Sequence, residues 1–251
     1  MTRRLLLPGT VVVALLGLWQ LAASSGALAD LLGLEPFLVP SPAEIAASLR
    51  DNRALLAENA WVTLQEILLG FLIGLVAGLG FASLLRFSAT LRRAFYPLMV
   101  GSQAVPILIF APVLVVWFGF GIGPKLIVVA LLCFFPIAVA TTDGLRSVDP
   151  EAVKMMRSLD ASRLQLLWRV EAPNALPFVF SGARVAATFA PIGAVFGEWV
   201  GADSGLGHLI LQDNAQLETA RLFAAAFVLA AIAIALFGLL ALAERRIVNW
   251  R

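Results

Sequence analysis

The chain has 251 residues, of which 61% are hydrophobic and 14% charged, with a formal charge of +2 and a mean hydropathy of +0.93. That balance excludes an ordinary water-soluble domain and gives no reason to expect a nucleic-acid partner. One cysteine, Cys133, forbids an intrachain disulfide and reads as a small packed apolar residue. One histidine, His208, leaves no paired-histidine metal motif, and Gly123-Pro124-Lys125 does not complete a phosphate-binding P-loop, so no ATP site of that kind is present.

Arg3 and Arg4 precede an apolar run from Leu5 to Ala23. No small-x-small cleavage site leads into a soluble domain, so residues 1–23 read as a retained first membrane helix rather than a signal peptide. Residues 24–58 are more polar and read as a periplasmic or interfacial segment. Within them Ser41, Pro42 and Glu44 form a capping box that predicts a short helix from Pro42 to Arg50. A membrane core over 59–246, holding a polar loop over 144–177, and a short tail, 247–251, complete the division.

The second span is expected from Trp61 to Leu85, with Gly70, Gly74, Gly78 and Gly80 along it for close helix approach. Glu66 is costly in lipid and should face the interface or the bundle. Arg86, Arg92 and Arg93 read as a loop. A third span, Phe95 to Phe118, is interrupted by Pro106 and Pro112, tolerable only against protein or water. Its Gln103–Pro106 run therefore reads as pathway-lining. Phe118–Gly123 is a short outer turn, and Lys125 to Thr142 is the fourth span, containing Phe134-Phe135-Pro136. The fifth runs from Phe178 to Val200 and carries Arg184 and Glu198. Gly201–Gly207 is too flexible to continue it. The sixth runs from Leu222 to Leu242.

The polar stretch 148–177 stands apart from these spans. Asp149, Pro150 and Glu151 are an N-cap, a first-turn proline and a first-turn acid. A turn at Leu159-Asp160-Ala161 follows, and Asp160 is also a candidate cap for the next helix. That second short helix offers Leu164, Leu167 and Trp168 on one side, flanked by Arg163 and Arg169, and Pro173 and Pro177 are expected to close it. Two short amphipathic helices in a small loop cannot bury their apolar sides alone and need a partner surface.

This stretch resembles the cytoplasmic "EAA" coupling loop of bacterial ABC importer permeases, of the nitrate/sulfonate/taurine type. The matching residues are Asp149, Pro150, Glu151, Arg157, Ser158, Leu159, Ala161, Ser162, Val170, Pro173, Ala175, Leu176 and Pro177. Two departures stand out: the family glycine falls on Asp160, and the EAA triplet falls on Lys154-Met155-Met156. Asp tolerates the left-handed turn that the glycine serves, and Glu151 is available in place of the missing triplet acid.

The resemblance implies an all-α membrane protein with six transmembrane helices in the type I importer (MetI-like) fold. It implies a separate ATPase dimer that binds ATP and Mg and docks on the loop, leaving this chain without cofactor, metal or catalytic residues. Coupling would fall to Glu151, Arg157, Leu159, Asp160, Ala161, Ser162, Arg163, Leu164, Leu167, Trp168, Pro173 and Pro177. A periplasmic substrate-binding protein and a second permease copy are the other implied partners. The Gly70 face and the segment after Glu198 are the candidate contacts for that copy.

Charge bias agrees independently. With six spans, Arg3, Arg4, Arg86, Arg92, Arg93, Arg146, Lys154, Arg157, Arg163, Arg169, Arg245, Arg246 and Arg251 fall on one side, against Arg50, Arg53, Lys125 and Arg221 on the other. The positive-inside rule then places the loop and both termini in the cytoplasm of a bacterial inner-membrane protein. Gln103, Pro106, Trp117, Phe135 and Glu198 are the candidate pathway residues. The runs around them most resemble permeases for the thiamine-precursor pyrimidine, with sulfonate, taurine, nitrate or riboflavin as alternatives. A path with Arg184 as its one cation suits a near-neutral aromatic solute better than an anion. The rival class, an ion-coupled secondary transporter, would need intramembrane acids. Only Glu66 and Glu198 qualify, and it leaves the 148–177 loop without a purpose.

Overall fold

The computed structural model describes the backbone of residues 2–249 and the side chains of residues 9–249 except residue 108. All regular structure among the described residues is helical. In chain order the helices are α1 (Thr2–Ser24), α2 (Ala27–Leu32), α3 (Pro42–Asp51), α4 (Arg53–Phe87), α5 (Ala89–Ser102), α6 (Phe110–Phe118) and α7 (Ile122–Arg146). Then come α8 (Pro150–Ser158), α9 (Arg163–Leu166), α10 (Ala172–Gly201), α11 (Leu206–Gln216) and α12 (Thr219–Ile247). Among the described residues, four helical stretches are long and apolar enough to cross a membrane: Arg53–Phe87, Ile122–Arg146, Arg163–Gly201 and Thr219–Ile247.

Six spans were expected. The first expected span is helical, as α1 over Thr2–Ser24, with Gly9–Ser24 the apolar part whose side chains are described. The third is broken. The helix stops at Ser102, a single 3-10 turn covers Ile107–Ile109, and α6 begins at Phe110. Pro106 lies in the gap, where its missing N–H costs no ladder bond. Three expected loops are shorter or absent. Arg86 lies in α4 and Arg92 and Arg93 lie in α5, separated only by Ser88, whose hydroxyl caps α5 by accepting from the Leu91 N–H at 3.2 Å. The second span begins at Arg53 rather than Trp61, and the segment after Gly201 contains a further helix, α11, that the glycines had concealed.

The chain divides into two compact units. One takes the chain up to Val62 together with Ser204–Ala230. Its capping box is as expected: the Glu44 N–H donates to Ser41 Oγ at 3.3 Å, and the Glu44 carboxylate accepts from the Ser41 N–H at 2.7 Å. Gln20 Oε1 accepts from the Ala43 N–H at 2.9 Å and ties α1 to α3. Trp19 stacks on Phe227 with centroids 6.4 Å apart. Arg221 clamps the buried Asp213 through Nε at 2.9 Å and Nη2 at 2.6 Å. Gly205, at φ +118°, starts α11 in a conformation closed to other residues, and its N–H donates to Asn59 Oδ1 at 2.7 Å.

The other unit, Thr63–Asp203 with the chain from Ala231, is built around α7. Helix α4 approaches α7 along its glycines. A Cβ on Gly70 would lie 2.5 Å from Val129 Cβ, one on Gly74 2.7 Å from the Ala130 carbonyl, and one on Gly78 3.0 Å from Ile137. Helix α10 also approaches α7, through Gly182, Gly193 and Gly197, which press on Pro136, Val129 and Lys125. The Gly70 face is thus filled by the chain's own α7 and is not open to a second copy. Gly80 has open space around it and does not belong to that face. Cys133 sits fully buried in the same seam, as its apolar setting suggested.

A polar node lies within this packing. Lys125, expected at the outer start of the fourth span, is buried and pairs with the fully buried Glu66 at 2.7 Å. Glu198 is also buried and accepts from Thr63 Oγ1 at 2.6 Å. Glu66 thus faces the bundle, and Glu198 is a packed acid rather than an interfacial one.

Two stability outcomes follow. Gly74→Ala, which drives a methyl into backbone, should cost about 1–3 kcal/mol, whereas Gly80→Ala should be neutral or stabilising by about 0.5–1 kcal/mol, read as opposite shifts in thermal unfolding of the purified chain. Lys125→Met leaves a buried carboxylate uncompensated and should cost about 3–5 kcal/mol. Adding Glu66→Gln should recover most of that loss, and a double variant no better than the single one would contradict the pairing.

Candidate functional site

The 148–177 stretch folds as its residues dictate. Asp149 Oδ1 accepts from the Glu151 N–H at 2.8 Å and starts α8 with Pro150 in its first turn. At the other end Asp160 takes φ +55°. The Asp160 N–H reaches the Arg157 carbonyl at 3.1 Å and the Ala161 N–H reaches the Met156 carbonyl at 3.1 Å. These two bonds are a Schellman close, with Asp160 at the position where glycine is usual. Ser162, rather than Asp160, caps α9. Its hydroxyl accepts from the Gln165 N–H at 3.2 Å, while Gln165 Oε1 accepts from the Ser162 N–H at 2.8 Å.

The second helix does not end at Pro173. Five residues, Leu167–Glu171, adopt π-helical winding, and α10 follows without a break, giving one helical stretch from Arg163 to Gly201. The wider turn shifts the hydrogen-bond register just before the proline. Pro173 then stands in the first turn of α10, where its missing N–H is tolerated, and Pro177 is absorbed farther along the same helix.

The apolar side chains divide in two directions. Leu159 is 72% exposed, Leu164 57%, Trp168 68% and Met155 60%. Leu167 points the other way and is buried against Leu145 and Ala175. It therefore does not share a face with Leu164 and Trp168, and the neighbouring Leu166 is buried too. Glu151, Arg157, Ser162 and Arg163 are exposed and Ala161 is half-buried.

The base of this helix pair is fixed by a contact that the sequence did not suggest. Glu171, buried, receives both Arg86 Nε, at 2.7 Å, and Arg86 Nη2. The two residues are 85 positions apart. The only local hint is an acid placed at the edge of an apolar run in a cationic loop. Beside it, Asn174 Nδ2 donates to Ser147 Oγ at 3.0 Å, and Gly144 lets Phe178 approach to 2.7 Å of where a Cβ would be.

The pathway candidates are only partly brought together. Gln103 and Phe135 line one small cavity of about 90 Å3 with Val105, Ile107, Leu132, Pro136 and Phe189. Pro106 does not line it, Trp117 is 73% exposed elsewhere, and Glu198 is buried in the polar node. The cavity carries no charged side chain. Arg184, the intramembrane cation expected from the sequence, is paired with Glu244 at 2.6 Å. Among the described residues there is no cluster of His, Cys, Asp and Glu fit for a metal ion.

Known proteins resemble the chain over nearly its whole length. A probable ABC transporter permease protein of Haemophilus influenzae is 39% identical, covering 93% of both chains. The riboflavin transport system permease protein of Chloroflexus aurantiacus is 37% identical over 97% of this chain and 89% of its own. The formylaminopyrimidine transport permease protein of Halalkalibacterium halodurans is 34% identical over 97% and 95%. In fold, a chain of the inward-facing MetNI methionine ABC transporter superposes with a TM-score of 0.63 at 24% identity, covering 78% of this chain and 96% of that one. The sequence profile of the family described as binding-protein-dependent transport system inner membrane component matches residues 70–249, and the chain belongs to that family: it is the membrane permease subunit of an ABC importer.

Proposed function

We propose that this permease carries a small, near-neutral nitrogen heteroaromatic of the thiamine-precursor pyrimidine kind. A periplasmic binding protein delivers it, and a separate ATPase docks on the 148–177 helix pair from the cytoplasm. Two copies of the chain form the pathway, with both termini cytoplasmic. The observation that carries the docking half is the exposed row Met155, Leu159, Leu164 and Trp168 on an otherwise charged element. Water is a poor neighbour for four large apolar side chains on two rigidly capped helices, and a groove on another protein removes that cost. Arg157 and Arg163 beside them are suited to acids at the groove's rim.

The mechanical consequence follows from the continuous helix. A displacement applied at Trp168 passes through the π-helical segment into α10 with no hinge between, and α10 packs on α7 by its glycines. ATP-driven closure of the partner therefore moves the core helices and not merely a loop.

The substrate half rests on charge. Lys125 and Arg184 are each neutralised by an acid, and the cavity at Gln103 and Phe135 offers aromatic faces and one amide. Nitrate, or the sulfonate end of taurine, finds no fixed positive charge there, whereas a flat heteroaromatic finds stacking and a hydrogen-bond partner. The relatives named for formylaminopyrimidine and for riboflavin both carry nitrogen heteroaromatics, which supports the same class.

Leu164→Asp with Trp168→Asp should weaken copurification of the ATPase by at least about 100-fold and stop uptake while leaving the melting temperature unchanged. Leu167→Asp should instead destabilise the chain itself, since that side chain is packed inside. Uptake of labelled formylaminopyrimidine into cells expressing the complete transporter should be saturable and unaffected by excess taurine. Uptake of taurine alone would refute the substrate assignment.

A further inference from the structure

Two cavities adjoin where α4, α5, α7 and α8 meet. One, of about 270 Å3, is lined by Arg86, Arg92, Arg157 and Arg163. The other, of about 420 Å3, shares Arg86, Arg92 and Arg157 and adds Arg146 and Lys154. Glu171 is the one acid lining either of them, and it is already committed to Arg86. Among the described residues, Arg92, Arg146, Lys154, Arg157 and Arg163 make no salt bridge. Arg146 is held instead by the Tyr96 ring, 5.9 Å from its centroid.

Cations converging on a hollow repel one another, and each like-charge pair about 4 Å apart costs on the order of 1 kcal/mol even in water. On a convex surface they would splay apart. Here they line adjoining hollows from backbones fixed on several helices, and an anion inside would relieve their repulsion. The ligand's chemistry can be read from the walls. Guanidinium groups arriving from several helices suit the oxygens of a phosphate, which they bind in forked pairs. Phe87, Leu145, Val148, Val153 and Leu166 line the same hollows and suit an apolar neighbour. Both α4 and α7 are apolar helices of spanning length, and they end here, at Phe87 and Arg146. We propose that this hollow binds the phosphodiester headgroup of an anionic phospholipid, with Arg92, from the first turn of α5, and Arg146, from the end of α7, as its principal ligands.

The site is independent of which solute the permease carries. It stands beside the Arg86–Glu171 pair at the root of the helix pair, so an occupied headgroup would brace the same junction that transmits motion.

The test uses the full chain in detergent, alone and assembled with its ATPase subunit. Native mass spectrometry and thermal shift would follow titration with short-chain phosphatidylglycerol, short-chain phosphatidylcholine and inorganic phosphate. Saturable phosphatidylglycerol binding is expected in both preparations, weakened at least about tenfold by Arg92→Gln with Arg146→Gln. It should be kept only in part by Arg92→Lys with Arg146→Lys, which keep the charge and lose the fork, and untouched by Arg50→Gln. Equal affinity for inorganic phosphate would make this a free-phosphate site and overturn the lipid assignment. Equal binding by phosphatidylcholine, or no loss in the glutamine double variant, would overturn it as well. Loss of the lipid on assembly with the ATPase would show that the arginines serve acids of that partner instead.

Discussion

Helix association in a membrane gains little from expelling water, because the lipid is as apolar as the side chains. What remains is close contact, and in this chain close contact is concentrated on one helix. Gly70, Gly74 and Gly78 of α4 and Gly182, Gly193 and Gly197 of α10 all bring backbone against α7, which presents Val129, Ala130, Cys133, Pro136 and Ile137 to them. A single added methyl at most of these positions would meet backbone or a Cβ that cannot rotate away. The arrangement of the second unit depends on that absence of side chain, and the polar node of Lys125, Glu66, Thr63 and Glu198 could not form if α4, α7 and α10 stood farther apart.

The node in turn limits what the interior can do. A lysine and two glutamates buried in spanning segments are expensive alone and tolerable together. Because the lysine faces an acid at 2.7 Å, it is not free to hold a passing anion. The same holds for Arg184 with Glu244. Lys125 and Arg184 are thus paired, while the cations around the ends of α4, α7 and α8 are largely unpaired. Charge is neutralised where water is absent and left available where a charged partner can reach it.

The parts legible in the sequence were those set by local rules. Ser41 with Glu44, Asp149 with Pro150, and the turn at Asp160 depend on residues within one helical turn of each other, and each formed as its chemistry required. The family, too, was legible from the loop. Contacts between distant positions were not: Lys125 read as a cation at the outer end of the fourth span, and nothing near it announces Glu66, 59 positions earlier. Glu171 was missed for the same reason. Pro173 misled because a proline normally stops a helix, and a π-helical turn that moves the register past it leaves no signature in composition. The glycines at 201–207 misled likewise, since Gly205 starts a helix rather than merely ending one.

The π-helical segment carries a last step in the reasoning. Had α9 ended at Pro173, Leu164 and Trp168 would sit on a tethered helix free to turn against α10, and force applied there would be lost in the joint. A helix continuous from Arg163 to Gly201 has no such joint. The cost is a segment of non-standard winding, and such segments persist only where surrounding contacts over-determine them. Here Leu167 is locked against Leu145 and Ala175 at its start, and Glu171 is clasped by Arg86 at its end. Both contacts lie within the five wide-wound residues, so the feature that would be weakest in isolation is the one most firmly held.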